Sequence, residues 1–434
     1  LIYDGSGDPS SLQNPRAKES EVYDFIYSEI QDIKDNFTQT EGSRTRANKI
    51  TALALQSRAM LYAGSIAKYN SQMSAPISTA GGEVGIPASM AVGYYEKSLE
   101  ASKAIIANEN YELYDIAGSP KGENFYKLFM DKSCKEVIFA KDFMTGKVHG
   151  FTYDNVVRSF RVDIEGSSIL SPSLSLVESY DYLDGSKGTL RDKDAEGNYI
   201  AYDKIDGIFA NKDARLYGTV VYPGSAFRSS PVQIQAGVAT WEDGGYKLKV
   251  GDLASVYSDG ETLTGADGPR DNDQYVSNTG FYIRKFISEA SGYTLRNYAE
   301  NWWPWFRLGE IYLNAAEAAF ELDDEPTALP YINRLRQRAG FPANSLTSLT
   351  IEKIQNERRV ELAFEDHRYF DMKRWRIADI TWNGNIDNDK AIVYGLYPYR
   401  IAGAKPGTQD QDKYIFVKTR SERFKVARTF QQSN

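Results

Sequence analysis

Glu357, Glu361 and Glu365 recur at four-residue spacing near the C-terminus of this 434-residue chain. On a helix their carboxylates stand roughly 5–6 Å apart, close to the ~5–5.5 Å between the two carboxyls of a retaining glycosidase. The geometry argues against that chemistry. An acid and a nucleophile must flank a sugar, whereas these three point off one helix face. Arg358, Arg359, Arg368 and Arg374 lie around them in the sequence. Nearby cations depress a carboxylate pKa, and a general acid needs a raised one. The spacing therefore predicts an ion-pair network that locks the last long helix. Other catalytic material is scarce. His149 and His367 are the two histidines and lie far apart in sequence. No zinc-protease, dithiol, nucleophile-elbow, phosphate-loop or dinucleotide motif appears. Asp267, Asp271 and Asp273 form an acidic run without the ligand and glycine order of a calcium loop. No catalytic residue, metal or cofactor is expected.

Apolar periodicity shows which elements position these residues. Val22, Phe25, Ile26, Ile30, Ile33 and Phe37 predict a helix over 19–37 with those side chains on one face. A second helix is expected over 47–69, where Ile50, Leu53, Ala54, Ser57, Leu61 and Gly64 make a stripe of small and apolar residues that admits a neighbour closely. An exposed loop over 71–89 leads to a third helix over 91–107. From about 120 to 300 the helical period fades. Residues 136–140 and 218–222 read as short strands, and Asp-Gly pairs at 184, 206, 243, 259 and 267 read as turns. Helices return at 303–322 and 327–339, the second capped by Thr327 with Pro330 in its first turn. A long helix then runs from Thr350 to Trp375. Tyr394–Arg400 suggests an ordered loop and short strand. The expected fold class is mainly α: a tetratricopeptide-like helical scaffold with an irregular, loop-rich middle containing short β segments. The chain reads as one domain, with helical repeats at 1–120, a ligand-side region at 121–300 and a helical block with its tail at 301–434.

Composition narrows the function. A net charge of −8 argues against nucleic acid. No apolar run is long enough to span a bilayer. Cys134 is the single cysteine, so no disulfide framework exists; its apolar setting reads as a buried small hydrophobe. Tyrosine is abundant at 30 copies, and its flat ring and hydroxyl suit wet interfaces with polyhydroxylated ligands as well as helix contacts. The start, Leu1-Ile2-Tyr3-Asp4-Gly5, has no leader-like features and reads as the middle of a longer polypeptide.

Trp305–Ala318 fits the tetratricopeptide opening W-x2-L-G-x2-Y. Fifty residues on, Glu357–Glu365, Arg368–Asp371 and Lys373–Trp375 follow. Ser171–Tyr180 with Asp184-Gly185, Asn211–Tyr217, Thr279–Phe286 and Asn333–Gly340 lie before and between them. In this order the segments resemble the motifs of the SusD/RagB family, with Lys212 and Ala214 departing from its usual Arg and Pro. The resemblance implies a non-catalytic surface lipoprotein of the outer membrane. Such a protein captures a glycan for a SusC-like TonB-dependent transporter, held by an N-terminal lipid anchor that would precede this chain. A peptide-binding tetratricopeptide module is the alternative, and a glycosidase a remote one.

The matching motifs are scaffold, so the binding residues are inferred from chemistry. A sugar ring needs a flat aromatic for its C–H face and polar groups for its hydroxyls. Phe151, Tyr153, Arg158 and Phe160 offer both in one irregular stretch. Trp241, beside Glu242 and Asp243, is the second candidate platform. Trp302, Trp303 and Trp305 lead into the repeat helix and are expected in the core.

Overall fold

The computed structural model describes residues 15–39, 42–162, 168–270, 273, 275–296, 298–421 and 428–429. Its N-terminal helices are α1 (Glu19–Ile33), α2 (Lys49–Ser71) and α3 (Ala91–Ile106), close to the expected spans. Asn48 caps α2 by accepting the Thr51 N–H at 2.9 Å. The small-residue stripe does what its composition suggests. Ser57 and Ser102 hydroxyls meet at 2.8 Å across α2 and α3, and a Cβ on Gly64 would lie 2.9 Å from the Tyr95 ring. On α1 the single apolar face divides: Ile30 is buried and Ile26 packs inward, while Val22, Phe25 and Ile33 face solvent.

Short helices α4 (Lys121–Lys127), α5 (Phe151–Asn155), α6 (Leu174–Val177) and α7 (Arg215–Thr219) punctuate the irregular middle. The strand expected at 136–140 is Val137–Lys141; of the one expected at 218–222 only Val220–Val221 is strand, because α7 occupies the residues before it. A four-stranded sheet runs in the order Tyr414–Arg420, Tyr394–Gly403, Gly237–Glu242, Gly245–Lys249, its central pair parallel and its outer pairs antiparallel. Strands from the tail thus pair with strands of the middle.

The C-terminal block holds α8 (Leu308–Glu321), α9 (Glu325–Arg338), α10 (Ile351–Glu361), α11 (His367–Arg374) and α12 (Ala378–Thr381). Three expectations change here. Residues 303–307 are a strand antiparallel to Val137–Lys141, not the first turn of a helix. Pro304 biases Trp303 toward extended backbone, and within this strand Trp305 faces outward, 51% exposed, rather than into the core. The cap of α9 is Asp324, which accepts the Thr327 N–H at 3.1 Å, so Pro330 falls inside the helix. The long helix from Thr350 is two helices. Thr350 does cap α10, but Phe364 and Asp366 take φ of 63° and break the run. Buried Lys285 donates to the Ala363 carbonyl at 2.8 Å and to Glu365 Oε1 at 2.6 Å, satisfying groups released at that break. One hydrophobic cluster joins both ends of the chain. It includes Met60 and Leu61 from α2, Tyr95 and Leu99 from α3, Ile311 and Leu313 from α8, Leu335 from α9 and Ile354 from α10.

Candidate functional site

The glutamate series forms the ion-pair network that its surroundings suggested, with different cations. Glu361 accepts from Arg307 at 2.6 Å, from Arg215 at 2.8 Å, and from Arg338. Glu357 pairs with Arg215 at 2.6 Å and Arg336 at 3.3 Å. Glu365 takes Arg307 and Lys285. Of the arginines adjacent in sequence, Arg358 and Arg374 bind Asp371 instead, and Arg374 also binds Glu317. Burial alone would raise the Glu361 carboxyl; Arg338, Arg307 and Arg215 outweigh it and hold the group well below the usual carboxylate range. A carboxyl held ionised and enclosed by guanidinium groups cannot deliver a proton to a leaving group.

The remaining reactive side chains are also occupied. His149 Nε2 lies 2.9 Å from the Asn301 carbonyl. His367 is buried beside Arg358, and burial lowers its pKa to about 4. Burial pushes the Cys134 thiol up to about 12. Asp267 serves as a loop tie: it accepts the Ser159 N–H at 2.8 Å, the Ser159 hydroxyl at 2.7 Å and the Gln233 N–H at 3.2 Å. Asp273 accepts the Tyr275 N–H, and Asp271 lies outside the described residues. Among the described residues no group of three His, Cys, Asp or Glu is arranged to hold a metal ion.

The stretch expected to bind sugar folds mainly as scaffold. Tyr153, 5% exposed on α5, is part of the interior, because a five-residue helix turns it inward. Phe151 makes edge contacts with Phe286 and Trp303 at 6.0 and 5.4 Å. Phe160 meets Phe227 at 4.8 Å. Arg158 donates to the Ala266 carbonyl at 3.3 Å. These contacts and the Asp267 tie fix the loop that presents the next residue, Arg161, whose guanidinium lies 4.9 Å from the ring centroid of Tyr275, 36% exposed. Sequence reasoning passed over this aromatic–cation pair, since 114 positions separate its members.

Trp241 stands elsewhere. Asp243 and Gly244 both take positive φ, 52° and 84°, forming a two-residue hairpin whose twist suits antiparallel strands. The hairpin makes Trp241 and Tyr246 a cross-strand pair, edge to face at 5.1 Å. Lys405 Nζ sits 5.1 Å from the half-buried indole. A partly open indole with an ammonium beside it can take a sugar's C–H face and one of its hydroxyls. On the near side of that strand the Gln235 carbonyl accepts the Gly265 N–H at 2.9 Å, close to the Asp267 tie.

A family model for the SusD family matches residues 135–417. The chain belongs to the SusD family. It is 24% identical over 391 residues to the SusD-like protein P2 of Formosa agariphila, which covers 85% of this chain but 59% of that protein. The chain thus spans less than two thirds of that curated relative. A SusD-like carbohydrate binding protein of Bacteroides fragilis superposes with a TM-score of 0.64 at 19% identity, over 97% of this chain and 70% of its own. A protein solved with xylogluco-oligosaccharide superposes at 0.54 and 16% identity, over 100% of this chain and 71% of its own. The likeness in fold identifies the helical blocks as the tetratricopeptide-like SusD scaffold. Within it the repeat motif has a physical role. Arg307 at its start and Glu310, Glu317 and Glu321 along it are buried charges of α8, and Glu310 accepts from Arg58 Nε and Nη2, each at 2.6 Å.

Proposed function

We propose that this SusD-family chain binds an oligo- or polysaccharide without cleaving it. It then delivers the glycan to a TonB-dependent transporter, as a surface protein lipid-anchored to the outer membrane. The observation that carries the reading is the pairing of family membership with a structural neighbour solved with xylogluco-oligosaccharide. The chain's own chemistry supports it. Trp241 with Lys405, and Tyr275 with Arg161, each join a flat ring to a cation at the surface. The one carboxylate series suited to glycosidase spacing is sealed in ion pairs. Among the described residues no helix is long and apolar enough to cross a membrane. Few platforms and a wet rim give millimolar to micromolar affinity, about −4 to −8 kcal/mol, which polymeric ligands raise through multiple contacts. Calorimetric titration with oligosaccharides, followed by chain-length analysis of the recovered sugar, tests the proposal. Binding with every oligosaccharide intact is expected. New reducing ends lost in a Glu361→Gln variant would refute it.

A further inference from the structure

Two of the four arginines that surround the glutamate series in sequence take no part in its ion network. Arg358 and Arg374 share Asp371. Arg359 on α10 and Arg368 in the first turn of α11 have no carboxylate in ion-pair contact among the described residues. Arg428 joins them from the end of the chain, and it too lacks one. Its Nε and Nη2 donate to the Ala391 and Lys390 carbonyls at 3.3 and 2.7 Å, and its guanidinium lies 5.4 Å from the Trp382 ring centroid. Arg359 Nη2 donates to the Ser175 hydroxyl at 3.2 Å. All three arginines are half-buried. Elsewhere the fold treats such groups differently. Each fully buried arginine among the described residues faces a carboxylate at 3.3 Å or closer. The three unpaired groups also act on one another. Burial, then Arg368 and Arg428, draw the Arg359 guanidinium down to about 9. Burial lowers Arg368 as well; Asp371 opposes this and Arg428 adds to it. Asp371 is already held by two other guanidiniums, and the Tyr180 hydroxyl near Arg359 is kept neutral by burial. Three positive charges therefore stand together at neutral pH, on a chain of net charge −8.

We propose that Arg359, Arg368 and Arg428 form a binding site for an oxyanion, whether a free inorganic ion or the acid group of a charged sugar. A guanidinium presents a rigid fork of N–H donors that matches the oxygens of a carboxylate, sulfate or phosphate. Ser175 and two carbonyls use only part of that donor capacity. Charge selects the ligand further. Like charges repel more strongly where water is partly excluded, and an oxyanion turns that repulsion into attraction. An uncharged sugar would accept from the donors and leave the repulsion in place. The site shares no residue with the Trp241–Lys405 and Tyr275–Arg161 pairs, and it does not rest on the glycan reading given for them.

Isothermal titration at low ionic strength with sodium sulfate, sodium phosphate and a galacturonic acid trisaccharide tests this, with glucose as the uncharged control. Saturable binding of at least one oxyanion is expected, and none of glucose. Arg368→Gln and Arg428→Gln should each weaken that binding about tenfold or more, as for loss of hydrogen bonds to a charged group. Arg359→Lys keeps the charge but loses the fork, and should weaken it as well. Lys103→Gln, an exposed change on α3, should leave it unchanged. Thermal melts supply a readout within each folded variant. At equal ionic strength, sulfate in place of chloride should raise the midpoint of the native chain and of Lys103→Gln more than that of any arginine variant. Sulfate or phosphate bound as tightly as the trisaccharide would assign the site to a free ion. A trisaccharide bound tenfold tighter would assign it to the acid group of a sugar, and either result supports the oxyanion site. No saturation by any of the three anions would overturn the proposal. Saturation and sulfate stabilisation equal in the native chain and all three arginine variants would overturn it too.

Discussion

His367 shows how burial sets the acid response of this scaffold at the level of one residue. Its imidazole is buried beside Arg58, Glu310, Arg358 and Asp371, and its pKa falls from 6.5 to about 4. The unfolded imidazole takes up a proton below about 6.5, the folded one only near 4. Between those values the unfolded state binds more protons, so stability falls as pH is lowered through that window. The loss attributable to this residue is at most about 3 kcal/mol. Urea midpoints at pH 7 and pH 5 should therefore differ for the native chain, and His367→Gln should reduce the difference. An unchanged difference would mean that the carboxylates alone carry the acid response. The network itself was only half legible from sequence. The four-residue spacing and abundant arginine predicted ion pairs, yet Arg215, Arg307, Arg336 and Arg338 come from other elements. Sequence neighbours of a buried charge need not be its partners, because a buried group pairs with whatever the fold brings to it.

At the scale of elements, glycine and proline decide where the helices start and how closely they approach. Gly309, the glycine of the repeat motif, lies under the ion network: a Cβ there would overlap Arg307 Nη1 and stand 2.7 Å from Glu361 Oε1. Gly309→Ala should destabilise the fold by about 1–3 kcal/mol through overpacking, read as a lower urea midpoint with unchanged slope. A neutral result would show that the guanidinium has room to move aside. Helix existence was legible wherever the apolar period was sustained, as in α2 and α3. Boundaries failed where a distant group intervened. Lys285 donates to the Glu361 carbonyl at the end of α10 and to the Ala363 carbonyl just past it, and no local signal announces a lysine from 76 positions earlier. The hairpin at Asp243-Gly244 was legible as a turn. Its pairing of Trp241 with Tyr246, and the parallel partner strand Tyr394–Gly403, depended on contacts far apart in sequence.

For the whole molecule, the two helical blocks share one core, and the irregular middle hangs its loops on that frame. The fold class was legible because several ordered motifs constrain it together. The candidate site was less so, since flat aromatics are common and exposure is a tertiary property: Tyr153 turned inward, while Tyr275 and Trp305 face solvent. Affinity electrophoresis through gels loaded with a panel of polysaccharides tests glycan capture. Retardation by at least one polymer is expected, weakened by Trp241→Ala or by Tyr275→Ala, with the polymer recovered at its original length. Migration unaffected by every polymer in the panel would contradict glycan capture by this chain.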